Sequence, residues 1–212
     1  MIRVLLADDH ELLRSGLASI LSTDDEIEVV GECDDGPAAV LAAGRLRPDI
    51  VLMDVEMPGG DGIAATREVL AAAPATRVMV LTMFDLDEYV AGALRAGASG
   101  FLIKTTPPRQ LIAAVKACAA GDATFGPSIM ARLVGHYVGA AAPADRSALE
   151  LLTPRERDVL AAMTRGLSNA EIGAELYLAE TTVKTHVARV LDKLGVRDRV
   201  QAVIVAHRAG IG

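Results

Sequence analysis

Short apolar runs alternate with longer segments of helical periodicity over the first 121 residues. Five runs have the composition of strands, at 2–8, 26–33, 49–54, 77–82 and 100–103. Apolar residues recur with helical spacing between and after these runs, at 11–22, 36–45, 61–73, 86–96 and 107–120. Strands buried on both faces are continuous apolar runs, and parallel strands need helical crossovers. The pattern therefore predicts an α/β domain over 1–121, a five-stranded parallel sheet with helices on both faces.

A purely helical pattern begins at about residue 149. Capping boxes start two helices, at Thr153 and at Ser168, each with a glutamate three residues later. A third helix has valines at helical spacing and ends at Gly195, and a fourth is predicted at about 198–209. Residues 149–212 are thus predicted to form an all-α domain of four helices. The intervening residues, 122–148, are rich in small and helix-breaking residues and are predicted to be a linker with one helical pattern at 127–138.

Composition is typical of a globular protein. The chain has 212 residues, 51% of them hydrophobic, which is enough to fill a core in each of two domains. The sequence contains no long apolar run free of charges, so we expect a cytoplasmic location and no membrane partner. Cys33 and Cys118 show no metal-ligand spacing and are predicted to be small core residues.

The net charge of −7 is unevenly distributed along the chain. Residues 1–149 carry 12 basic and 20 acidic side chains, whereas residues 150–212 carry 9 basic and 8 acidic ones. Within 181–199, five basic residues stand against two acidic ones. The two parts of the chain are therefore expected to bind different partners.

Polar residues stand at the carboxyl ends of the predicted strands. These residues are Asp8, Asp9, Asp54, Thr82 and Lys104. Because the carboxyl ends of parallel strands meet at one edge of a sheet, we expect the five side chains to lie close together. Three neighbouring carboxylates repel one another, which raises a pKa or requires a cation, and ligands that are all oxygen atoms suit Mg²⁺.

The third predicted strand ends on a carboxylate, Asp54, and is followed by the loop "VEMPGGDG". The loop bends the backbone away, which leaves Asp54 at the edge of the sheet and the Glu56 carbonyl available as a metal ligand. Asp54 is then placed to act as a nucleophile that accepts a phosphoryl group, with Thr82 and Lys104 stabilising the developing charge. Each residue alone has a simpler structural explanation, but their joint occurrence at four strand ends favours this chemistry.

The motifs "ADDH", "MDVEMPGGDG", "VLT" and "GASGFLIK" resemble those of the receiver domain of bacterial two-component response regulators. The resemblance covers about residues 1–121 and implies a flavodoxin-like fold. It implies that a sensor histidine kinase phosphorylates Asp54, that Lys104 pairs with the phosphoryl oxygens, and that Thr82 and Phe101 form a coupled switch. It also implies Mg²⁺ as the cofactor, with a set of ligands comprising Asp8 (through water), Asp9, Asp54 and the Glu56 carbonyl. Glu56 and Phe84 occupy two variable positions at the rim of the pocket.

The third helix of the second domain has a polar outward strip formed by Lys184, Thr185, Ala188 and Arg189. A short helix, a turn and a second helix with such a strip fit the major groove of DNA, where Lys and Arg reach guanine edges. Further basic residues at the end of this helix are expected to contact phosphates. The predicted DNA contacts are Thr181, Thr182, Lys184, Thr185, Ala188, Arg189, Lys193 and Arg197, with Arg199 as a further phosphate contact.

The segment from "LTPRERDVL" to "VLDKLGV" resembles the helix-turn-helix domain of LuxR-type regulators, over about 149–212. Its union with a receiver is the arrangement of NarL/FixJ-type response regulators. This resemblance implies a transcriptional regulator, not an enzyme, which binds double-stranded DNA as a homodimer after phosphorylation of Asp54. The last helix, through Val200, Val203 and Ile204, is predicted to form the dimer surface. One departure from the pattern is Ala179, which stands where a serine usually caps the recognition helix.

Two other functions remain open on the sequence. A phosphohydrolase that forms an aspartyl phosphate would also use Asp, Thr and Lys at strand ends, but it needs an acid two residues after the nucleophile on the first strand, and His10 stands two residues after Asp8. A regulator independent of phosphorylation could use the receiver only for dimerisation. The complete set of pocket residues makes this second alternative less favourable.

Overall fold

The computed structural model describes residues 1–57, 60–83, 87–121 and 147–211. The chain divides into two compact units, Met1–Thr124 and Phe125–Gly212. Nearly all of the predicted linker, the predicted helix at 127–138 and the rim residue Phe84 lie outside the described residues. No helix within the described ranges is long and apolar enough to cross a membrane.

The first unit is built on a five-stranded sheet. The strands of this unit are β1 (Ile2–Ala7), β2 (Ile27–Cys33), β3 (Ile50–Asp54), β4 (Glu56–Met57), β5 (Gly60–Asp61), β6 (Arg77–Thr82) and β7 (Gly100–Ile103). The main sheet has the order β2-β1-β3-β6-β7, and every neighbouring pair is parallel. The short strands β4 and β5 form a separate antiparallel pair. The predicted five-stranded parallel sheet is therefore confirmed, and the β4–β5 pair is an addition.

Helices connect the strands of the sheet. They are α1 (Glu11–Leu21), α2 (Gly36–Leu46), α3 (Gly62–Ala72), α4 (Asp87–Ala96) and α5 (Pro108–Ala119). All five residues of the central strand β3 are buried, as a strand covered on both faces requires. Cys118 of α5 is buried in the core, as predicted, but Cys33 is only partly buried because it ends the edge strand β2. The prediction of a core position for Cys33 was therefore wrong.

The second unit is helical. Its described helices are α6 (Ser147–Glu150), α7 (Pro154–Thr164), α8 (Asn169–Leu176), α9 (Glu180–Leu194) and α10 (Arg199–Arg208). Both predicted capping boxes are formed, at Thr153 with Glu156 and at Ser168 with Glu171. The short helix α6 was not predicted, since four residues are too few to show a period. Helices α7 to α10 are the four that the sequence predicts.

The turn between α8 and α9 is tight. A Cβ atom at Gly173 would lie 2.7 Å from the carbonyl oxygen of Leu178, so a side chain there would push the turn away from α8. Tyr177 ends α8 in a left-handed conformation, with φ of 56°. The two helices thus form a helix-turn-helix with α9 as its second helix.

Candidate functional site

Two carboxylates lie side by side at the carboxyl edge of the sheet. Asp8 follows β1 and Asp54 ends β3, and these strands are paired so that Ala7 lies opposite Met53. Asp8 is 1% exposed and Asp54 is 3% exposed. Continuous apolar strands therefore deliver two buried carboxylates to one point, which is costly unless a cation compensates them.

Lys104 supplies that compensation from the loop after β7. Its Nζ atom lies 2.6 Å from Oδ2 of Asp54 and 2.8 Å from Oδ2 of Asp8. The Lys104 backbone N–H donates a hydrogen bond of 2.7 Å to the carbonyl of Thr82, which fixes the start of this loop against β6. The structure thus brings together the predicted acceptor, its neighbour Asp8 and the predicted lysine.

The pKa values of Asp54 and Lys104 are shifted by burial and by the contacts of Lys104 with the two carboxylates. Burial raises the pKa of Asp54, and the hydrogen bond from Lys104 only partly offsets that rise. Burial would lower the pKa of Lys104, but its hydrogen bonds to Asp54 and Asp8 outweigh that effect and raise the pKa. One ammonium therefore stands against two buried carboxylates, which leaves the site with excess negative charge.

A cation fits beside these carboxylates. Asp8, Asp9, His10 and Asp54 each offer a ligand atom, and these atoms lie within 4.8 Å of one another. Asp9 is partly exposed, so solvent reaches the cluster from its side. A mainly carboxylate donor set with an open side suits a hard divalent cation such as Mg²⁺.

His10 is a member of the cluster that sequence reasoning missed. Its Nδ1 atom lies 2.7 Å from Oδ1 of Asp9, and its backbone N–H donates a hydrogen bond of 2.9 Å to Oδ1 of Asp8. The motif "ADDH" contains the signal, because a histidine directly after two strand-end acids cannot lie far from them.

The loop after Asp54 returns close to the acceptor. The Gly62 N–H donates a hydrogen bond of 2.9 Å to the carbonyl of Val55. A Cβ atom at Gly62 would lie only 1.8 Å from the carbonyl oxygen of Asp54, so this return requires glycine. The Glu56 N–H lies 3.4 Å from Oδ1 of Asp54, which places the Glu56 backbone beside the acceptor.

The two predicted switch residues lie on neighbouring strands. Thr82 ends β6, Phe101 is on β7, and the pairing of these strands places Thr82 opposite Ile103. Both side chains are buried in this structure. Their coupled movement remains a prediction.

Most of the predicted DNA contacts form one exposed surface on α9. The exposed residues are Thr181, Thr182, Lys184, Thr185, Ala188 and Arg189. The valines of the same helix, Val183, Val187 and Val190, are buried. Lys184 Nζ forms an exposed ion pair with Glu180 at 2.9 Å, a contact that costs little to exchange for another anion.

The basic residues that follow this surface in the sequence contact other residues of the second unit. Lys193 Nζ lies 2.6 Å from the buried carboxylate of Glu156, and Arg197 Nε lies 3.3 Å from Asp198. Arg199 is buried, and its guanidinium donates to Asn169 Oδ1 and to the Leu167 carbonyl. Arg199 is therefore a structural residue, and its prediction as a phosphate contact was wrong. For Lys193 and Arg197, contact with DNA remains a prediction.

The predicted dimer surface on α10 is largely internal. Val200 and Val203 are 1% and 3% exposed, because α10 packs on α7 and α9. They are not available to a second chain in this structure, so those two predictions were wrong. Ile204 is partly exposed and stays a candidate. Helical spacing alone did not distinguish the face that covers the core from a face that meets a partner.

Comparisons with known proteins match both units. The family described as "Response regulator receiver domain" matches residues 4–116, and "Bacterial regulatory proteins, luxR family" matches residues 150–206. The transcriptional regulatory protein YxjL of Bacillus subtilis is 42% identical over 211 residues, covering 99% of this chain and 97% of that protein.

Solved structures give the same result. The response regulator ChrA of a heme-sensing two-component system is 37% identical, with a TM-score of 0.53 over 100% of this chain and 98% of that chain. A structure of two RcsB dimers bound to two parallel DNAs is 25% identical, with a TM-score of 0.56 over 100% of this chain and 99% of that chain. The chain belongs to the two-component response regulators with a LuxR-type DNA-binding domain, a family of transcription regulators.

Proposed function

We propose that the chain is a transcription regulator switched by phosphorylation of Asp54. The observation that carries this proposal is the group of two buried carboxylates and Lys104 at one edge of the sheet, with Nζ 2.6 Å from Asp54. A sensor histidine kinase is the proposed donor. An Asp54 oxygen would bond to phosphorus as the bond from phosphorus to the kinase histidine breaks, and the leaving imidazole would take up a proton.

The residues around Asp54 have distinct roles in this proposal. Asp9, Asp54 and the Glu56 carbonyl would hold Mg²⁺, with Asp8 acting through a metal-bound water, and the ion would supply positive charge to the phosphoryl oxygens. Lys104 exchanges its contact with the Asp54 carboxylate for one with a phosphoryl oxygen. Thr82 donates its hydroxyl to another oxygen, and its movement makes room for the ring of Phe101.

The second part of the proposal is DNA binding by a homodimer. The six exposed residues of α9 face a major groove, and the two chains of the dimer contact two half-sites. The RcsB structure, in which dimers bind DNA, supports this arrangement. Phosphorylation shifts the population toward the dimer, and a coupling free energy of about 1–3 kcal/mol is enough for a useful switch.

Intact mass after incubation with acetyl phosphate and Mg²⁺ tests the acceptor. We expect the wild type to gain one phosphoryl group and Asp54→Asn to gain none. A gain in both would assign the phosphoryl group to another residue.

DNA affinity, measured with and without the phosphodonor on the same two proteins, tests the switch. Tighter binding in the wild type alone is expected. Equal affinity in all four samples would favour the regulator that uses its receiver only for dimerisation. Release of phosphate from small esters would favour the phosphohydrolase.

A further inference from the structure

A hydrogen bond joins the acceptor loop, the loop that runs from Asp54 to Gly62, to helix α4. The hydroxyl of Tyr89, in the first turn of α4, donates to Oε1 of Glu56 at 2.7 Å. Glu56 is the second residue after Asp54 and is exposed, whereas its neighbour Met57 is buried. The bond therefore sets the direction of an acidic side chain at the rim of the proposed phosphorylation site.

Glu56 could otherwise reach the acceptor. Only Val55, at a bend in the backbone, separates Glu56 from Asp54. The Glu56 backbone is also held beside Asp54, with its N–H 3.4 Å from Oδ1 of Asp54, and pairing of β4 with β5 places it opposite Asp61. A glutamate side chain that is free to rotate can place its carboxylate over Asp54 from this position.

Tyr89 can hold Glu56 away because α4 is itself fixed. Val90 and Ala93, on the inner side of α4, are buried. The helix also approaches α3 closely, since a Cβ atom at Gly92 would lie 2.8 Å from Cδ1 of Ile63. The helix that carries Tyr89 is thus held in place by packing, which fixes the point from which its hydroxyl reaches Glu56.

We propose that Tyr89 is a positioning residue that holds the Glu56 carboxylate away from the Asp54 pocket. This inference rests on the proposed function. With Glu56 turned toward α4, the pocket receives an anionic phosphodonor without a fourth carboxylate in its path. A released Glu56 adds negative charge beside the cation site, which strengthens cation binding and repels the phosphodonor.

The variant Tyr89→Phe removes the hydroxyl and keeps the ring. In the full chain, we expect the Kd for Mg²⁺, from an NMR titration with MgCl₂, to fall by about threefold to tenfold as Glu56 joins the acidic cluster. The rate of phosphorylation at low acetyl phosphate concentration is expected to fall by a similar factor, through a higher KM. A merely structural role for Tyr89 would loosen the pocket and weaken both processes together.

A double-mutant cycle shows whether Tyr89 acts through Glu56. Glu56→Gln keeps an acceptor for the Tyr89 hydroxyl but removes the charge, so adding Tyr89→Phe to it should change neither the Mg²⁺ affinity nor the KM. Unchanged Mg²⁺ affinity in the single variant Tyr89→Phe, or an equal effect in both backgrounds, would overturn the positioning role while phosphorylation of Asp54 still stands. A wild type that neither binds Mg²⁺ nor gains a phosphoryl group would overturn the proposed function together with this inference.

Discussion

The acceptor loop depends on the absence of a side chain at Gly62. An added Cβ atom would lie 1.8 Å from the Asp54 carbonyl oxygen and 3.2 Å from Cα of Val55, both of them backbone atoms that cannot rotate aside. We therefore expect Gly62→Ala to lower the free energy of unfolding by about 1–3 kcal/mol or more and to slow phosphorylation of Asp54.

Urea unfolding and acetyl phosphate labelling measure these two effects. Gly16→Ala in α1 is the matched control, because a Cβ atom there meets nothing within 4 Å. The free energy of unfolding of Gly16→Ala should be higher than that of the wild type by about 0.5–1 kcal/mol, because alanine is more favourable than glycine inside a helix. Equal behaviour of the two variants would mean that the loop can move away from Asp54 without cost.

The carboxylate of Glu156 gives the second unit a defined response to pH. The hydrogen bond from Lys193 Nζ, with the cap hydrogen bond from Thr153, lowers the pKa of Glu156 from 4.5 to about 2. Its contribution to stability is therefore fully present above pH 4.5 and is lost as the pH falls toward 2. Glu156→Gln should lower the free energy of unfolding by about 1.5–3 kcal/mol at neutral pH, with a difference from wild type that shrinks on acidification.

Chemical unfolding of the two proteins from neutral pH down to about pH 3 tests this dependence. Glu171→Gln is the control, since Glu171 occupies the same position in the other capping box but is exposed. Glu171→Gln should lower the free energy of unfolding by less than Glu156→Gln does. A loss at Glu156 that does not change with pH would show that the amide disturbs packing rather than removing a charge.

Side-chain contacts between distant residues are what the sequence could not provide. Polar residues at strand ends predicted the meeting of Asp54 and Lys104, because parallel strands bring their carboxyl ends to one edge. Nothing in the spacing of residues indicates that Lys193 meets Glu156 or that Arg199 meets Asn169. Basic residues next to a predicted DNA surface were therefore assigned to phosphates, and for Arg199 burial shows that assignment to be wrong.

Among the elements, helix α9 starts without a side-chain cap. Ala179 is its N-cap and offers no side-chain hydrogen bond, whereas Ser168 caps α8 by accepting from Glu171 N–H. Ala179→Ser should raise the free energy of unfolding of the second unit by about 0.5–2 kcal/mol, because the first turn of α9 gains a side-chain acceptor for its N–H groups. Thermal and urea unfolding measure the gain.

The reverse change at the other helix is the control for this effect. Ser168→Ala removes an existing cap and should cost a similar amount. No gain from Ala179→Ser would mean that the first turn of α9 is already satisfied by another group.

Long elements were predictable and short ones were not. Runs rich in apolar residues indicated all five strands of the main sheet, and the central strand β3 is buried throughout. Two kinds of element are too short to show a period, the two-residue strands β4 and β5 and the four-residue helix α6. For α10 the helical period was predicted correctly, but its apolar face was assigned to a dimer surface. Val200 and Val203 instead cover the core of their own unit.

Over the whole molecule, charge is distributed unevenly between the first and the second part of the chain. Residues 1–149 are net negative and residues 150–212 are close to neutral, with the basic residues concentrated around α9. An average over the chain would disfavour a nucleic-acid partner, yet the matching family consists of DNA-binding regulators. The position of a charge, rather than the total, is therefore what should decide DNA affinity.

Two arginines of the second unit separate position from total charge. Arg189 is exposed on α9, and Arg157 is exposed on α7. Arg189→Gln and Arg157→Gln remove the same charge, but only Arg189 belongs to the surface proposed to enter the major groove. We expect Arg189→Gln to cost about 1–3 kcal/mol of binding free energy and to relax specificity at one base pair of each half-site, as loss of a guanine contact does.

Fluorescence anisotropy with duplex DNA that the phosphorylated protein has selected from a random library measures both variants. Arg157→Gln should change the Kd by less than about threefold, because Arg157 lies outside the surface that is proposed to enter the major groove and a surface charge is screened by salt. Equal losses in the two variants would mean that the protein meets DNA through its overall field alone. In that case α9 would not be the element that reads the sequence, whatever its exposure.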